Sequence, residues 1–231
     1  MSSTPVLFTY GGALFLLRWI HFMAGVTWIG MLYYFNFVQG SFFGETDPTT
    51  KSNVVQKLVP RALWWFRWGA MFTIISGVCY IGMMGHDYHN SWGVCILTGA
   101  SLGVVMWANV WFVIWPAQKV VIKSAQQVAA GGQAIPEAAA RGARAGVASR
   151  TNVLFSMPML FFMGAASHLG LQVSPQTDLT IYAVVVAVII AALEFNALKG
   201  KSGPMTTVKG VIHCGLGLAL VMYAVAECLT R

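Results

Sequence analysis

The feature that most constrains this chain is a series of six apolar runs, each long enough to cross a bilayer as a helix. Such a run spans about 20 residues, and in lipid every backbone N–H and C=O group must find its partner within the segment. Of the 231 residues, 57% are hydrophobic and 9% are charged, whereas a soluble domain has about 25% charged residues. The runs are Gly11–Phe37, Ala62–Met84, Trp92–Trp115, Val153–Leu171, Leu179–Leu198 and Val208–Leu229.

These runs predict an all-α fold, a polytopic transmembrane helical bundle of about six helices that forms one integral membrane domain over residues 1–231. The basic residues fall in the odd-numbered connections, which are expected on the cytoplasmic side by the positive-inside rule. Both termini are then periplasmic, in a bacterial inner membrane, and MSSTPVLF shows no cleaved signal peptide. The net charge of +7 therefore reflects topology and does not indicate nucleic-acid binding.

The longest connection, residues 119–150, is predicted to be a cytoplasmic surface segment. It contains Ala-rich stretches broken by glycine and proline. Arg141 and Arg144, with Arg150 as a further candidate, are expected to face anionic lipid phosphates.

The four cysteines all fall within apolar runs, without a C-x-x-C pair or a C-x-x-C-H site. Covalent haem c is therefore not expected. Cys79 and Cys95 lie near the outer ends of adjacent predicted helices, so a disulfide between them is one alternative. Four unpaired cysteines that act as small hydrophobic residues are favoured.

Three of the five histidines, His21, His168 and His213, lie inside or at the edge of predicted helices, whereas His86 and His89 are expected to be solvated in a loop. Ionisable side chains in a membrane helix are costly and usually face a partner, a cavity or a bound group. Each of the three has a glycine one helical turn away, and these glycines are Gly25, Gly164, Gly210 and Gly217.

A bare backbone beside a histidine lets a flat macrocycle approach an iron-bound imidazole, so the spacing favours haem b. His21 is the favoured ligand, with His168 slightly ahead of His213 as its partner and a second haem on His213 left open. Gly25 would give room to the ring, and Arg18 would pair with a haem propionate at the membrane surface. The alternative is that these histidines only hydrogen-bond between helices.

The stretches LRWIHFMAGVTWIGMLYYFNF, ALWWFRWGAMFT and SRTNVLFSMPMLFFMGAASH resemble the membrane part of the bacterial urate oxidase (urate hydroxylase) family. The resemblance covers most of the first 170 residues. Family members join this region to a cytochrome c domain, and no such domain is expected within these 231 residues. The resemblance implies an oxidoreductase that uses a separate periplasmic cytochrome c as its electron acceptor. The arginine–histidine opening also resembles copper-resistance membrane proteins and haem-associated protoporphyrinogen oxidases, and all three families would assign His21 to the cofactor or metal.

Three functions therefore stay open. The first is a haem-b electron-transfer subunit of a larger respiratory complex, which passes electrons between a donor and a periplasmic cytochrome c or other redox subunits. The second is a self-contained oxidase of urate or a similar small reductant. The third is a non-redox copper-handling or assembly protein. Asn109 is expected to bond a neighbouring helix and Glu194 to serve a proton path or reach the interface, whereas no catalytic residue is assigned.

Overall fold

The computed structural model describes residues 4–85 and 87–231. His86, one of the two predicted loop histidines, lies outside the described residues. The described chain is all helical and contains no strand. Its α-helices are α1 (Tyr10–Tyr33), α2 (Gly40–Glu45), α3 (Pro48–Lys57), α4 (Val59–Met84), α5 (Ser91–Ala108), α6 (Trp115–Ala129), α7 (Ala138–His168), α8 (Leu179–Lys199) and α9 (Val208–Thr230).

Side chains placed just before the first turn set the start of four of the long helices. Each accepts a hydrogen bond from a backbone N–H in that turn, which would otherwise have no partner. These caps are Thr9, Asn90, Asp178 and Thr207. For Asp178, the hydroxyl and backbone N–H of Thr180 stabilise the carboxylate and hold its pKa below the usual value. Gly85 ends α4 in the left-handed conformation, at φ 53°, which glycine adopts most readily.

Within residues 4–85 and 87–231, five helical segments are long and apolar enough to cross a membrane, and five of the six predicted runs lie within them. Two of these segments are continuous through a π-helical stretch, one over Tyr34–Gln39 and the other over Asn109–Ile114. The protein is therefore a multi-pass membrane protein. The five segments are Tyr10–Glu45, Val59–Met84, Ser91–Ala129, Leu179–Lys199 and Val208–Thr230.

The remaining predicted run, Val153–Leu171, lies mainly in α7 and is not among these five segments. α7 packs against α5, α6, α8 and α9, and polar residues such as Thr151, Asn152 and Ser156 are fully buried in it. A helix covered by other helices has less need of apolar side chains than one that faces lipid. With 31 residues, α7 is about 46 Å long and can still cross a bilayer.

The described chain begins and finishes at the same end of the bundle. Near the start, the Tyr10 hydroxyl donates to the carbonyl of Met83. Near the finish, the backbone N–H of Ser174 donates to the carbonyl of Thr230 at 2.8 Å, and a ring nitrogen of His89 lies 3.2 Å from the Ser174 carbonyl. We name this the terminal end. The opposite end, where the lysine- and arginine-rich connections lie, is the basic end.

The predicted surface segment, residues 119–150, is a helical hairpin built from the end of α6 and the first turns of α7. Arg141 is exposed, as expected, but Arg144 donates to the carbonyls of Ala197 and Gly200 at 3.0 and 3.3 Å. Arg150 lines a cavity inside the bundle. The prediction that Arg144 and Arg150 face lipid phosphates was therefore wrong, because the hairpin packs against the bundle.

All four cysteines are free, and the favoured prediction of unpaired cysteines is confirmed. Cys79 is exposed and Cys95 is buried.

Candidate functional site

The helix that carries His21 is held against α4 by a very close approach of the two backbones. A Cβ atom added at Gly69 of α4 would lie 3.0 Å from the backbone nitrogen of Trp28 and 3.2 Å from the carbonyl oxygen of Ala24. Small residues allow such an approach between membrane helices. The contact fixes the register of α1 on α4, and His21 lies two turns further toward the terminal end.

The imidazole of His21 is oriented by the α4 backbone. Its Nδ1 lies 2.9 Å from the carbonyl oxygen of Thr73 and 3.3 Å from the Ser76 hydroxyl. A carbonyl can only accept, so Nδ1 carries the hydrogen and, in the neutral ring, Nε2 is left as an acceptor. Among the described residues Nε2 has no hydrogen-bond partner. This is the tautomer in which a metal-bound histidine is usually held.

Gly77 provides the space that the His21 ring occupies. A Cβ atom there would lie 3.1 Å from Cε1 and 3.2 Å from Nδ1 of the ring. The ring is therefore seated against α4 along its Nδ1–Cε1 edge.

Arg18 and Gly25 flank His21 by one turn on either side. The Arg18 guanidinium donates to the Tyr80 hydroxyl and lies 5.1 Å from the centre of the Tyr80 ring. In the described part of the chain it forms no ion pair with a carboxylate. A Cβ atom added at Gly25 would meet nothing within 4 Å. The Arg18 guanidinium, the acceptor nitrogen of His21 and the open helix surface at Gly25 therefore follow one another along α1.

His168 lies at about the same depth as His21, near the terminal end. The Tyr33 hydroxyl and the Ser156 Oγ are 2.9 Å apart, which fixes the relative height of α1 and α7. Both histidines are twelve residues from this bond along their helices, or about 18 Å toward the terminal end. His168 is exposed, and none of the described hydrogen bonds joins it to His21.

His213 lies further from the terminal end than the other two histidines, nearer the middle of the bundle's length. It is two residues from Gly215, which packs on Met157 of α7, so it is at about the height of the Tyr33–Ser156 bond. Its Nδ1 lies 2.7 Å from the carbonyl of Lys209 in its own helix, and its side chain is exposed. The depth of the three histidines therefore groups His21 with His168.

The glycines near the other histidines differ in their surroundings. Space is open beside Gly164 and Gly217, where an added Cβ would meet nothing within 4 Å. Gly210 packs on the carbonyl of Pro204 instead, so its role is to close the turn before α9.

A second polar group, at the start of the second π-helical segment, joins three helices. The Asn109 amide donates to Oδ1 of Asn152 at 3.0 Å and to Oε2 of Glu194 at 2.9 Å. The Asn152 amide donates to the carbonyl of Met106 at 2.9 Å. The prediction that Asn109 bonds a neighbouring helix is confirmed. Asn152 was missed, although an asparagine directly before an apolar run is itself a signal of a buried hydrogen bond.

Glu194 also lines the groove of about 470 Å³ between α5 and α8. The other lining residues are largely apolar, apart from Tyr88 and Ser101 and the bonded pair of Thr98 and Tyr182, whose hydroxyl oxygens are 2.6 Å apart. The groove places the Glu194 carboxyl between an apolar surface and the asparagine pair.

The described residues bring together no group of three or more His, Cys, Asp or Glu side chains that could hold a metal ion by themselves. Any metal at His21 would therefore need ligands that are not supplied by such a cluster, as the iron of a haem does.

A comparison with models of protein families shows which family the chain belongs to. The family model described as "Urate oxidase N-terminal" matches residues 81–226, which is more than half of the 231 residues. The chain belongs to the urate oxidase N-terminal family. No curated protein and no solved structure gives a significant match. The sequence resemblance to this family is thus confirmed.

The matched range differs from the range of the sequence resemblance. It contains His168, His213 and the Asn109–Asn152–Glu194 group, but it begins after Arg18, His21 and Gly25. Membership of the urate oxidase N-terminal family therefore rests on α5 to α9. The argument for His21 rests on its own geometry.

Removal of the Asn152 side chain is expected to destabilise the bundle. In Asn152→Ala, Asn109 loses one acceptor and the Met106 carbonyl keeps only the backbone N–H of Asn109 as a donor, at a cost of about 1–3 kcal/mol. The measurement is thermal unfolding in detergent, with Asn196→Ala as the control, since Asn196 is only half-buried and, among the described residues, its amide donates to the nearby Lys201 carbonyl and joins no second helix. Equal stability of the two variants would contradict a structural role for the buried group.

Proposed function

We propose that the chain is a haem-b-containing subunit of the bacterial inner membrane that passes electrons between a donor and a periplasmic cytochrome c, within a larger redox complex. The observation that carries this proposal is the hydrogen bonding of the His21 imidazole. Its Nδ1–H is held by the Thr73 carbonyl at 2.9 Å, and its Nε2 is left without a partner among the described residues, beside the open backbone at Gly25.

The residues around His21 fit a haem. His21 would bind the iron through Nε2, Gly25 would leave room for the macrocycle, and Arg18 would balance a propionate. His168 is proposed as the second ligand because it lies at the same depth, with His213 as the alternative or as the ligand of a second haem. When bound, haem supplies an iron that changes between two oxidation states and so transfers single electrons.

The distribution of charge supports the orientation of the proposed subunit. Lysines and arginines are concentrated at the basic end, so by the positive-inside rule this end would face the cytoplasm. The terminal end, with His21 and His168, would face the periplasm. A haem held there would lie on the side from which a periplasmic cytochrome c approaches.

A second candidate function, oxidation of urate or a similar small reductant by this chain alone, is favoured by its membership of the urate oxidase N-terminal family. Addition of urate to the purified, oxidised protein separates the two proposals. Reduction of haem by urate in the absence of other subunits would favour the oxidase. Reduction only when partner subunits are present would favour the electron-transfer subunit.

The test of the proposed cofactor is a reduced-minus-oxidised absorption spectrum of the detergent-purified chain, with a pyridine haemochrome assay of haem type and number. A b-type signal at one or two haems per chain is expected. A colourless protein would overturn both redox proposals, and copper analysis would then test the third function considered from the sequence.

Gly25→Ala tests the position of the haem. Because an added Cβ at Gly25 meets no protein atom within 4 Å, the variant should fold as the wild type does, with a small gain in helix propensity. We expect it to lose haem or to shift the haem absorption bands. Gly30→Ala is the matched control, since Gly30 lies on the same helix and is equally open. Identical spectra of both variants and the wild type would place the haem elsewhere.

A further inference from the structure

A polar cavity lies inside the bundle, toward the basic end and away from His21. Its volume is about 240 Å³, it is partly open, and it is lined by the first π-helical segment, α4, α6 and α7. An amide hydrogen bond of 2.8 Å, from Asn36 to the Ser149 hydroxyl, joins two of its walls. The polar side chains that line it are Asn36, Gln39, Gln118, Ser149 and Arg150.

Two atoms of this lining are buried and have no hydrogen-bond partner in the described part of the chain. They are Nη1 of Arg150, a donor that carries positive charge, and Oε1 of Gln39, an acceptor. The lining contains no aspartate or glutamate. Buried polar atoms are normally bonded. Arg150 as a whole is half-buried, so its guanidinium keeps some access to solvent while its Nη1 atom does not. The two orphaned atoms therefore point to a group that occupies the cavity.

The chemistry of a group that would bind here follows from Nη1 of Arg150 and Oε1 of Gln39. Arg150 requires an acceptor, and a negatively charged one is favoured because nothing in the lining neutralises the guanidinium. Gln39 requires a donor, such as N–H or O–H. The cavity is several times larger than the roughly 30 Å³ that one water molecule occupies in the liquid. Water could satisfy the hydrogen bonds, whereas an anion would also balance the charge of Arg150.

The backbone at this cavity is also unusual. Asn36 and Gln39 both belong to the π-helical segment Tyr34–Gln39, and π-helical turns are rare and found frequently at functional sites. Ile114, the last residue of the second π-helical segment, also lines the cavity. Two irregular turns thus meet around one polar space.

We propose that this cavity binds an oxyanion, either a carboxylate or a phosphate, through Arg150, and that Gln39 accepts a hydrogen bond from the same ligand. The oxyanion has two sources, a small soluble anion or the phosphate of an anionic lipid. The site is separate from the proposed haem site, and the two proposals can fail independently.

The test uses the full chain in a non-ionic detergent and follows thermal unfolding. The soluble probes are benzoate and inorganic phosphate, and the lipid probe is mixed micelles of phosphatidylglycerol compared with phosphatidylcholine. We expect at least one probe to raise the midpoint temperature of thermal unfolding of the wild type, and this rise should saturate with probe concentration. In Arg150→Gln the apparent affinity should fall by about tenfold or more, because a charge-assisted hydrogen bond is lost. With the soluble probes, Arg141→Gln, in which the replaced side chain is exposed, should behave as the wild type.

The response to the probes identifies the source of the oxyanion. Stabilisation by benzoate or phosphate assigns the cavity to a soluble anion, and stabilisation by phosphatidylglycerol alone assigns it to a lipid headgroup. If no probe stabilises the wild type more than Arg150→Gln, the cavity holds water only and the proposal is overturned.

A second variant keeps the test decisive if Arg150→Gln does not fold. Gln39→Glu places a carboxylate in the same cavity as Arg150, so the protein supplies its own anion. We expect this variant to be at least as stable as the wild type and to have lost its response to the probe. A retained response would overturn the proposal.

Discussion

Replacement of His21 by Ala is expected to lower the haem content of the purified chain at least about tenfold, since even groups that only orient a metal ligand change metal affinity by 10- to 100-fold. The protein should still insert, because the close backbone approach of α1 to α4, at Gly69, Ala24 and Trp28, does not depend on the imidazole. The measurement is the pyridine haemochrome assay, normalised to protein, on membranes and on the purified variant.

His168→Ala and His213→Ala distinguish the possible partners of His21. If His21 and His168 hold one haem, His21→Ala and His168→Ala should each convert the spectrum to that of a five-coordinate haem or remove it, and His213→Ala should leave it unchanged. Loss of only half of the haem in His213→Ala would indicate a second haem. Full haem retention in His21→Ala would exclude His21 as a ligand.

The fold was largely predictable because lipid imposes a simple rule on sequence. Runs that face lipid must be apolar along their whole length, and five of the six runs lie within the five apolar spanning segments. Val153–Leu171 is the exception in the structure, since α7 is surrounded by other helices. Protein neighbours accept buried polar groups such as Asn152 and Ser156, so hydropathy is a weaker signal for a central helix.

For the candidate site, the sequence predicted which residues share one face of a helix, but it did not predict which residues meet between helices. The spacing of Arg18, His21 and Gly25 places them on one strip of α1, and the structure agrees with this. The sequence could not show that Thr73 orients His21, because that depends on which helix packs against α1 and at what register. The distance between His21 and the other histidines depends on the same packing.

The arginines of the hairpin show a second reason for failure. A basic residue next to a membrane span usually faces lipid phosphates, and Arg144 was expected to do so. In the folded chain it donates to the carbonyl of Ala197 in the last turn of α8 and to that of Gly200 just after the helix, where carbonyls have no partner within their own helix. Local sequence carries no sign of such a distant acceptor, nor of the cavity beside Arg150.

Gly69→Leu is expected to have the largest effect on the fold. At Gly69 the obstacle is the backbone of α1, which cannot rotate away as a side chain can, so the two helices must separate. Overpacking of this kind costs about 1–3 kcal/mol, and more where the backbone must move. Since His21 is held by the Thr73 carbonyl on the same face of α4, the variant should lose its haem together with its stability.

Gly82→Leu on α4 is the matched control, because an added Cβ there meets nothing within 4 Å. Leucine raises helix propensity equally at both positions, so any difference between the variants comes from packing against α1. The measurement is the yield of folded protein on size exclusion, the thermal midpoint and the haem content. Retention of haem in an unstable Gly69→Leu protein would mean that the haem site does not depend on the register of α1 on α4, and would contradict the role assigned to Thr73. Loss of haem in Gly82→Leu as well would point to a site that extends along the open face of α4.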